Sequence, residues 1–280
     1  MREISVKKIE ETIAKLCIEA NHFLSEDVKD TLRKMKNNED GKCAKGILDD
    51  IEKNIAIAEK GVFPLCQDTG MACIFLDIGQ DVHLVDGDIE DAVNRGVAKG
   101  YVGGYLRKSI VKDPLNRINT ENNAPADIYY NIVPGDRIRI LVAPKGFGSE
   151  NMGQIKMLPP SAGEKGVEDF VLKVCEDAGA NPCPPIVVGV GIGGSFSKVA
   201  VMAKKALLKP LDMHNENPYY ADMEERILEK INETGIGPQG LGGKTTALKV
   251  NIITAPTHIA GLPVAVNINC HVARHKEALI

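Results

Sequence analysis

Tryptophan is absent from this 280-residue sequence, and aromatic residues make up only 4% of it. With so few aromatic faces, the chain lacks the stacking platforms on which single-stranded nucleic acids are held. A formal net charge of −4 leaves no basic field to gather nucleic acid or an anionic membrane surface. No continuous apolar run approaches the roughly eighteen residues that mark a membrane-spanning helix. The N-terminus opens on Arg2, Glu3 and Lys7 with no apolar signal core, so the expected compartment is the cytoplasm. No C-x-x-C pair occurs, which removes the usual zinc-ribbon and thioredoxin signatures. The seven cysteines are an odd number without a secretory signal, which argues against a disulfide framework.

What is present is an ordinary globular balance, 44% apolar and 26% charged, with 27 glycines and hence many tight turns. The length suits one large domain or two modest ones. Helical periodicity predicts helices over 4–20, from Ser25 as N-cap onward, and over 44–59, with Ile47, Leu48, Ile51 and Ile55 inward in the last. Residues 72–77 and 82–85 read as strands and 89–105 as a helix. Residues 106–127 form a long polar loop of the kind that is more often functional than idle. Residues 128–133 and 137–142 read as a strand pair about the turn Pro134-Gly135-Asp136. Helices are expected over 167–177, 197–208 and 218–233, and strands over 186–190, 247–254 and 263–269. The expected fold class is mixed α/β (α+β). A helical N-terminal portion, 1–60, precedes an α/β portion, 61–280, of mixed sheets packed with helices, all in one domain.

The chemistry centres on Phe63-Pro64-Leu65-Cys66-Gln67-Asp68-Thr69-Gly70-Met71. A soft ligand, an amide, a carboxylate and a hydroxyl stand on consecutive residues of a turn at the mouth of an apolar strand. Active sites are commonly built this way, although a buried cysteine followed by an ordinary polar turn has the same sequence. Two more cysteines share a loop or strand-end setting: Cys183 in Asn181-Pro182-Cys183-Pro184-Pro185, and Cys270 after the last apolar strand. Cys17, Cys43, Cys73 and Cys175 fall inside helices or strands and read as packing residues. Three loop thiolates could hold a 4Fe–4S cluster with one iron lacking a protein ligand. Two glycine runs compete for attention. Gly189-Val190-Gly191-Ile192-Gly193-Gly194 fits a dinucleotide fingerprint but lacks a good following strand. Gly237 to Thr245 resembles a P-loop with wrong glycine spacing, in which Lys244 and backbone amides could line an anion site or a subunit contact.

Six segments, in order, give the chain a family likeness: Cys66-Gln67-Asp68-Thr69-Gly70, Leu106-Arg107-Lys108-Ser109, Gly148-Ser149-Glu150-Asn151, Asn181-Pro182-Cys183-Pro184-Pro185, the glycine-rich run 235–246, and Thr257-His258-Ile259-Ala260. Together they make the sequence resemble the α subunit of class I (iron–sulfur) fumarate hydratases and the related L-tartrate dehydratases. The resemblance implies that Cys66, Cys183 and Cys270 ligate the 4Fe–4S cluster. It implies that Gln67 and Asp68 flank the substrate, with Asp68 in proton transfer or in orienting the base. It implies that Arg107 binds a substrate carboxylate, Gly148 offers a backbone amide, and His258 stands in the catalytic pocket. From the residues alone, Arg107 reads as a solvated arginine and His258 equally well as a satisfied core histidine. No role is implied for His271 or His275. The implied substrate is a small dicarboxylate, with fumarate hydration to L-malate as the main reading and tartrate dehydration to oxaloacetate as the alternative. A non-catalytic iron–sulfur or nucleotide-binding protein is a distant third. Single-chain relatives carry a further C-terminal domain whose pattern is not seen here. The resemblance therefore also implies a separate β subunit, self-association of α, and a heterotetramer.

Overall fold

The computed structural model describes residues 1–280. Its elements are β1 (Arg2–Ser5), α1 (Val6–His22), α2 (Glu26–Asn38), α3 (Lys42–Ala58), β2 (Met71–Gly79), β3 (Val82–Val85), α4 (Ile89–Gly103), β4 (Asp127–Val133), β5 (Ile138–Lys145), α5 (Phe147–Glu150), β6 (Gln154–Leu158), α6 (Gly163–Ala178), β7 (Ile186–Gly193), α7 (Phe196–Ala206), α8 (Pro218–Glu233), β8 (Ala247–Ala255), β9 (Leu262–Asn269) and β10 (Lys276–Leu279). The class is mixed α/β, as expected. The chain divides into two compact units, one of residues 1–24, 54–147 and 274–280, the other of 25–53 and 148–273. No helix is long and apolar enough to cross a membrane.

The first unit is built on a four-stranded sheet ordered β10-β5-β2-β4. Strand β2 is central because Ala72 to Leu76 are buried on both faces, the pattern of a strand covered on two sides. Helices α1 and α4 cover one of these faces: Ile9, Ile13 and Cys17 of one, and Val93, Val97 and Tyr101 of the other, join Ala72, Ile74, Leu76, Ile138 and Ile140 in one apolar cluster. Each fully buried aliphatic side chain of this kind contributes about 1.5–3 kcal/mol. The strand pair expected about Pro134-Gly135-Asp136 does not form. Strand β2 lies between β4 and β5, parallel to the first and antiparallel to the second. The turn instead closes over the end of β2, where Gln80 N donates to Val133 O at 2.8 Å and Asp81 N to Gly135 O at 3.0 Å. The most apolar strand took the centre of the sheet, a tertiary choice that local turn signals do not encode.

The second unit carries the sheet β6-β9-β7-β8, in which β7 and β8 are parallel and β9 is antiparallel to both β7 and β6. All eight residues of β7 are buried. Helices α6 and α8 pack Val171, Val174, Ile227 and Ile231 against Val188, Val190 and Ile252. Helix α7 packs Val199 and Ala203 near Ala265. This contact explains the first glycine run: a Cβ on Gly189 would stand 2.2 Å from the Ala203 carbonyl, and one on Gly191 2.4 Å from that of Val199. The glycines let a helix lie on a strand, and no dinucleotide is needed to account for them. Short strands β1, β6 and β10 were not anticipated, because four or five residues leave too little period to read.

Candidate active site

In the first unit, the loop before β2 is fastened residue by residue. Leu65 is buried, its N–H donating to Asn21 O at 2.8 Å and its carbonyl accepting from Asn54 Nδ2 at 2.8 Å. Cys66 follows half-buried and Gln67 exposed. Asp68 accepts the N–H of Gly70 on Oδ1 at 3.0 Å and the N–H of Phe147 on Oδ2 at 2.9 Å. Its carboxylate thus holds the loop to the end of β5. Gly70 closes the loop in the left-handed region (φ 75°) against the backbone of Lys145, where a Cβ would meet carbonyl and amide atoms at 2.7–2.8 Å.

Thr69 does the reaching. It is buried, and its hydroxyl accepts the N–H of Arg107 at 2.9 Å and donates to the Arg107 carbonyl at 3.2 Å. The Arg107 backbone is fixed at the loop while its side chain stands exposed. Fully buried Tyr101 donates to the carbonyls of Thr69 and Gly70 at 2.8 and 3.1 Å, and burial pushes its phenol far above the usual range. Asn123 donates to Gly70 O at 3.0 Å and accepts from Ser109 N at 2.6 Å, tying the start and end of the long 106–127 loop to the same place. Arg274, buried, donates from Nη2 to the Asp68 carbonyl. Thr69 lay inside the quoted motif without an assigned role. Nothing in the sequence marked Tyr101, Asn123 or Arg274, since each is defined by a contact distant in the chain.

In the second unit, the turn before β7 and the end of β9 come together. Cys183 is exposed and holds a left-handed φ of 55° between Pro182 and a cis Pro184–Pro185 bond. Non-glycine residues seldom adopt such backbone, and those that do cluster at functional positions. The carbonyl of Cys183 accepts from His271 twice, from the backbone N–H at 3.4 Å and at ring Nδ1 at 3.0 Å. His271 follows half-buried Cys270 directly, so these contacts draw Cys270 to Cys183. Gln239 completes the clasp: its backbone N–H and its Nε2 both donate to the Pro184 carbonyl, at 2.8 and 2.7 Å, and its amide lies 3.2 Å from His271 Nδ1. Gly148, exposed at the start of α5, is at the same end of the sheet, since a Cβ there would lie 3.4 Å from Asn181 O. Its N–H is a first-turn amide with no acceptor inside the helix. Two residues on, Glu150 accepts from Lys204 Nζ at 2.7 Å and Asn267 Nδ2 at 2.9 Å.

His258 is elsewhere. It is exposed on the turn from β8 to β9, not in the core, and its Nδ1 accepts the Ala260 N–H at 3.2 Å. That contact leaves the ring proton on Nε2. Thr257 donates to Gly194 O at 2.9 Å, which fixes this turn at the end where β7 finishes. Cys183 and Cys270 are at the end where β7 begins. The eight-residue strand, on the order of 23 Å at 3.3 Å per residue, stands between them.

The second glycine run has an occupant of its own. Buried Glu39 accepts from the N–H groups of Lys244 and Thr245 at 2.9 and 3.1 Å and from the Thr245 hydroxyl at 3.1 Å. The N–H groups of Asp40 and Gly41 add two more, at 3.1 and 3.3 Å. Burial alone would raise this carboxyl, but the hydrogen bonds outweigh it and hold Glu39 below the ordinary carboxylate range. Lys244 itself pairs with Asp40.

The donor chemistry suits an iron–sulfur group. Cys66, Cys183 and Cys270 are the accessible loop and strand-end thiols, whereas Cys17, Cys73 and Cys175 are buried. Burial pushes Cys17 and Cys175 up to about 12, so neither is a ready thiolate. Cys43 is exposed but sits on α3. The structure brings two of the three candidate ligands together in the second unit and carries Cys66 in the first. Neither unit alone gathers three His, Cys, Asp or Glu side chains able to hold a metal.

Residues 10–279 match the family model described as fumarate hydratase (fumerase). The chain belongs to the fumarate hydratase family. The activity class of that family is hydro-lyase. A Methanocaldococcus jannaschii protein, named provisionally as L(+)-tartrate dehydratase subunit alpha, is 41% identical over 269 residues, 94% of each chain. The Escherichia coli O157:H7 protein named L(+)-tartrate dehydratase subunit alpha is 32% identical over 283 residues, covering 100% of this chain and 93% of its own. Within the fumarate hydratase family, these relatives carry the tartrate name, which favours the alternative over the main substrate reading drawn from sequence.

Proposed function

We propose that this chain is the α subunit of a two-subunit iron–sulfur hydro-lyase acting on a 2-hydroxydicarboxylic acid, with L-tartrate as the first substrate. The observation that supports the proposal is the clasp of His271, the residue next to Cys270, on the carbonyl of Cys183, which sets these two cysteines near one another at a strained, accessible turn. The names of the relatives support tartrate and the α-subunit role. When bound to Cys66, Cys183 and Cys270, a 4Fe–4S cluster would supply a Lewis-acid iron, free of protein ligands, to the substrate hydroxyl.

The chain's own residues supply the rest. The exposed guanidinium of Arg107, on backbone fixed by Thr69, grips one substrate carboxylate with a planar fork of donors. Gln67 and the first-turn N–H of Gly148 donate hydrogen bonds that orient the substrate. Asp68 takes part in proton transfer at the carbon next to a carboxylate, or orients the group that does. In L-tartrate, loss of that proton from a hydroxyl-bearing carbon and of hydroxide from the adjacent carbon removes one water and gives an enol, which tautomerises to oxaloacetate. His258 serves the pocket as a donor through Nε2. Its place at the far end of β7 from Cys183 and Cys270 supports its supply by a second copy of the chain, in keeping with self-association of α. A β subunit provides the remaining substrate contacts in a cytoplasmic heterotetramer, with all 280 residues acting as one hydro-lyase domain.

The test is anaerobic reconstitution with the β partner, followed by turnover of L-tartrate, L-malate and fumarate. Tartrate turnover far above the other two supports this reading. The reverse supports the fumarate hydratase reading drawn from sequence. Turnover of none of the three overturns both.

A further inference from the structure

Three successive carbonyls of the Cys66–Gly70 loop are taken by side chains, and they are taken unequally. Those of Thr69 and Gly70 go to Tyr101 and Asn123, neutral groups suited to the task. The carbonyl of Asp68 goes to a guanidinium. Arg274 is 4% exposed, its hydrogen bond to Asp68 is made by Nη2 alone, and its Nε and Nη1 are buried with no partner. A carbonyl needs one donor, and a neutral amide would provide it. A buried cation with two unmet donors is a costly way to hold a peptide group. Replacing such a charge with an apolar side chain of similar volume is often neutral or stabilising. The residue is therefore a poor choice for stability, and residues of that kind persist where function requires them.

We infer that Arg274 is a positioning residue: it fixes the Asp68 peptide, and with it the direction in which the Gln67 and Asp68 side chains leave the loop. The inference rests on the reading above that those two side chains meet the substrate. Both Asp68 carboxylate oxygens are committed to backbone amides, of Gly70 and Phe147. The carbonyl is the third point that fixes the residue as a rigid body, and the other two lie on its side chain. Positioning errors of about 1 Å at such a point cost on the order of 100-fold in rate.

The experiment uses the reconstituted complex with its β partner and two variants, Arg274→Met and Arg274→Lys. For Arg274→Met we expect unchanged iron content, a melting temperature equal to or above that of the parent, and kcat lowered about 100-fold with KM within about three-fold. Arg274→Lys keeps a charged donor and should regain about ten-fold of the lost kcat. Amide exchange at residues 67–70 of the chain without cluster should be about ten-fold faster in Arg274→Met than in the parent. A kcat for Arg274→Met within about two-fold of the parent, or unchanged exchange, overturns the inference. So does a joint fall of melting temperature and kcat that lysine does not relieve, since that marks a merely structural residue. If the parent complex turns over no hydroxydicarboxylate, the proposed function fails, and the exchange measurement alone decides whether Arg274 anchors the loop.

Discussion

The two turns that offer cysteines are built by opposite means. The loop at Cys66 keeps ordinary backbone up to Gly70 and is held by side chains: Asp68 to Phe147, Thr69 to Arg107, Tyr101 to two carbonyls. The turn at Cys183 is shaped by backbone, a left-handed cysteine and a Pro-Pro step, and is held by donors from Gln239 and His271 onto its own carbonyls. A loop held by side chains couples its chemistry to neighbours such as Arg107. A turn held through backbone presents one thiol and little else. Under the proposed function, the first design would serve substrate contact and the second ligation alone.

The comparison breaks most completely if the thiols themselves are dispensable. Cys66→Ser, Cys183→Ser and Cys270→Ser should each abolish cluster retention and turnover, read as iron per chain after anaerobic reconstitution. Cys17→Ala and Cys175→Ala should leave both intact, and a full cluster in all three serine variants sinks the ligand set. A finer test separates the turns. Thr69→Val removes both hydrogen bonds to the Arg107 backbone, each worth about 0.5–1.5 kcal/mol, and should raise KM for the dicarboxylate about ten-fold with iron content unchanged. Gln239→Leu should do the reverse, lowering iron retention while leaving KM alone. Equal effects of both variants on both quantities would erase the distinction between the loops.

The smallest effect concerns the thiols on neither turn. Cys17 and Cys175 are raised from 9.0 to about 12 by burial. The folded chain thus keeps two protons that the unfolded chain releases above about pH 9, and stability falls as pH rises between the two values. Denaturant midpoints should decline over that window, less steeply in Cys17→Ala, and thiol reagents at pH 8 should modify Cys43 long before Cys17.

Much of this fold was legible because long periodic segments carry their own evidence. Helix α8, sixteen residues long, matches its expected bounds. The pairing of β4 and β5 was misread because turn chemistry is local while the place of β2 between them was decided by its burial on both faces. The same divide runs through the site. Cys66, Asp68 and Cys183 were visible as residue types in turns. Arg274, His271 and Gln239 act through backbone carbonyls of residues far away in sequence, and a carbonyl leaves no mark on the residue that bears it. His258 was legible as a motif member but not as a residue of the opposite end of its sheet, because strand direction, not spacing, put it there.

The run Gly237–Thr245 has a consequence of its own. Its amides and hydroxyl are a receptor whose ligand, the Glu39 carboxylate, is part of the same chain. A tethered ligand competes at an effective concentration on the order of millimolar or higher, however dilute the protein. Free phosphates and nucleotides must therefore outbid a neighbour that never leaves, and a loop with the look of a nucleotide cradle works here as a latch.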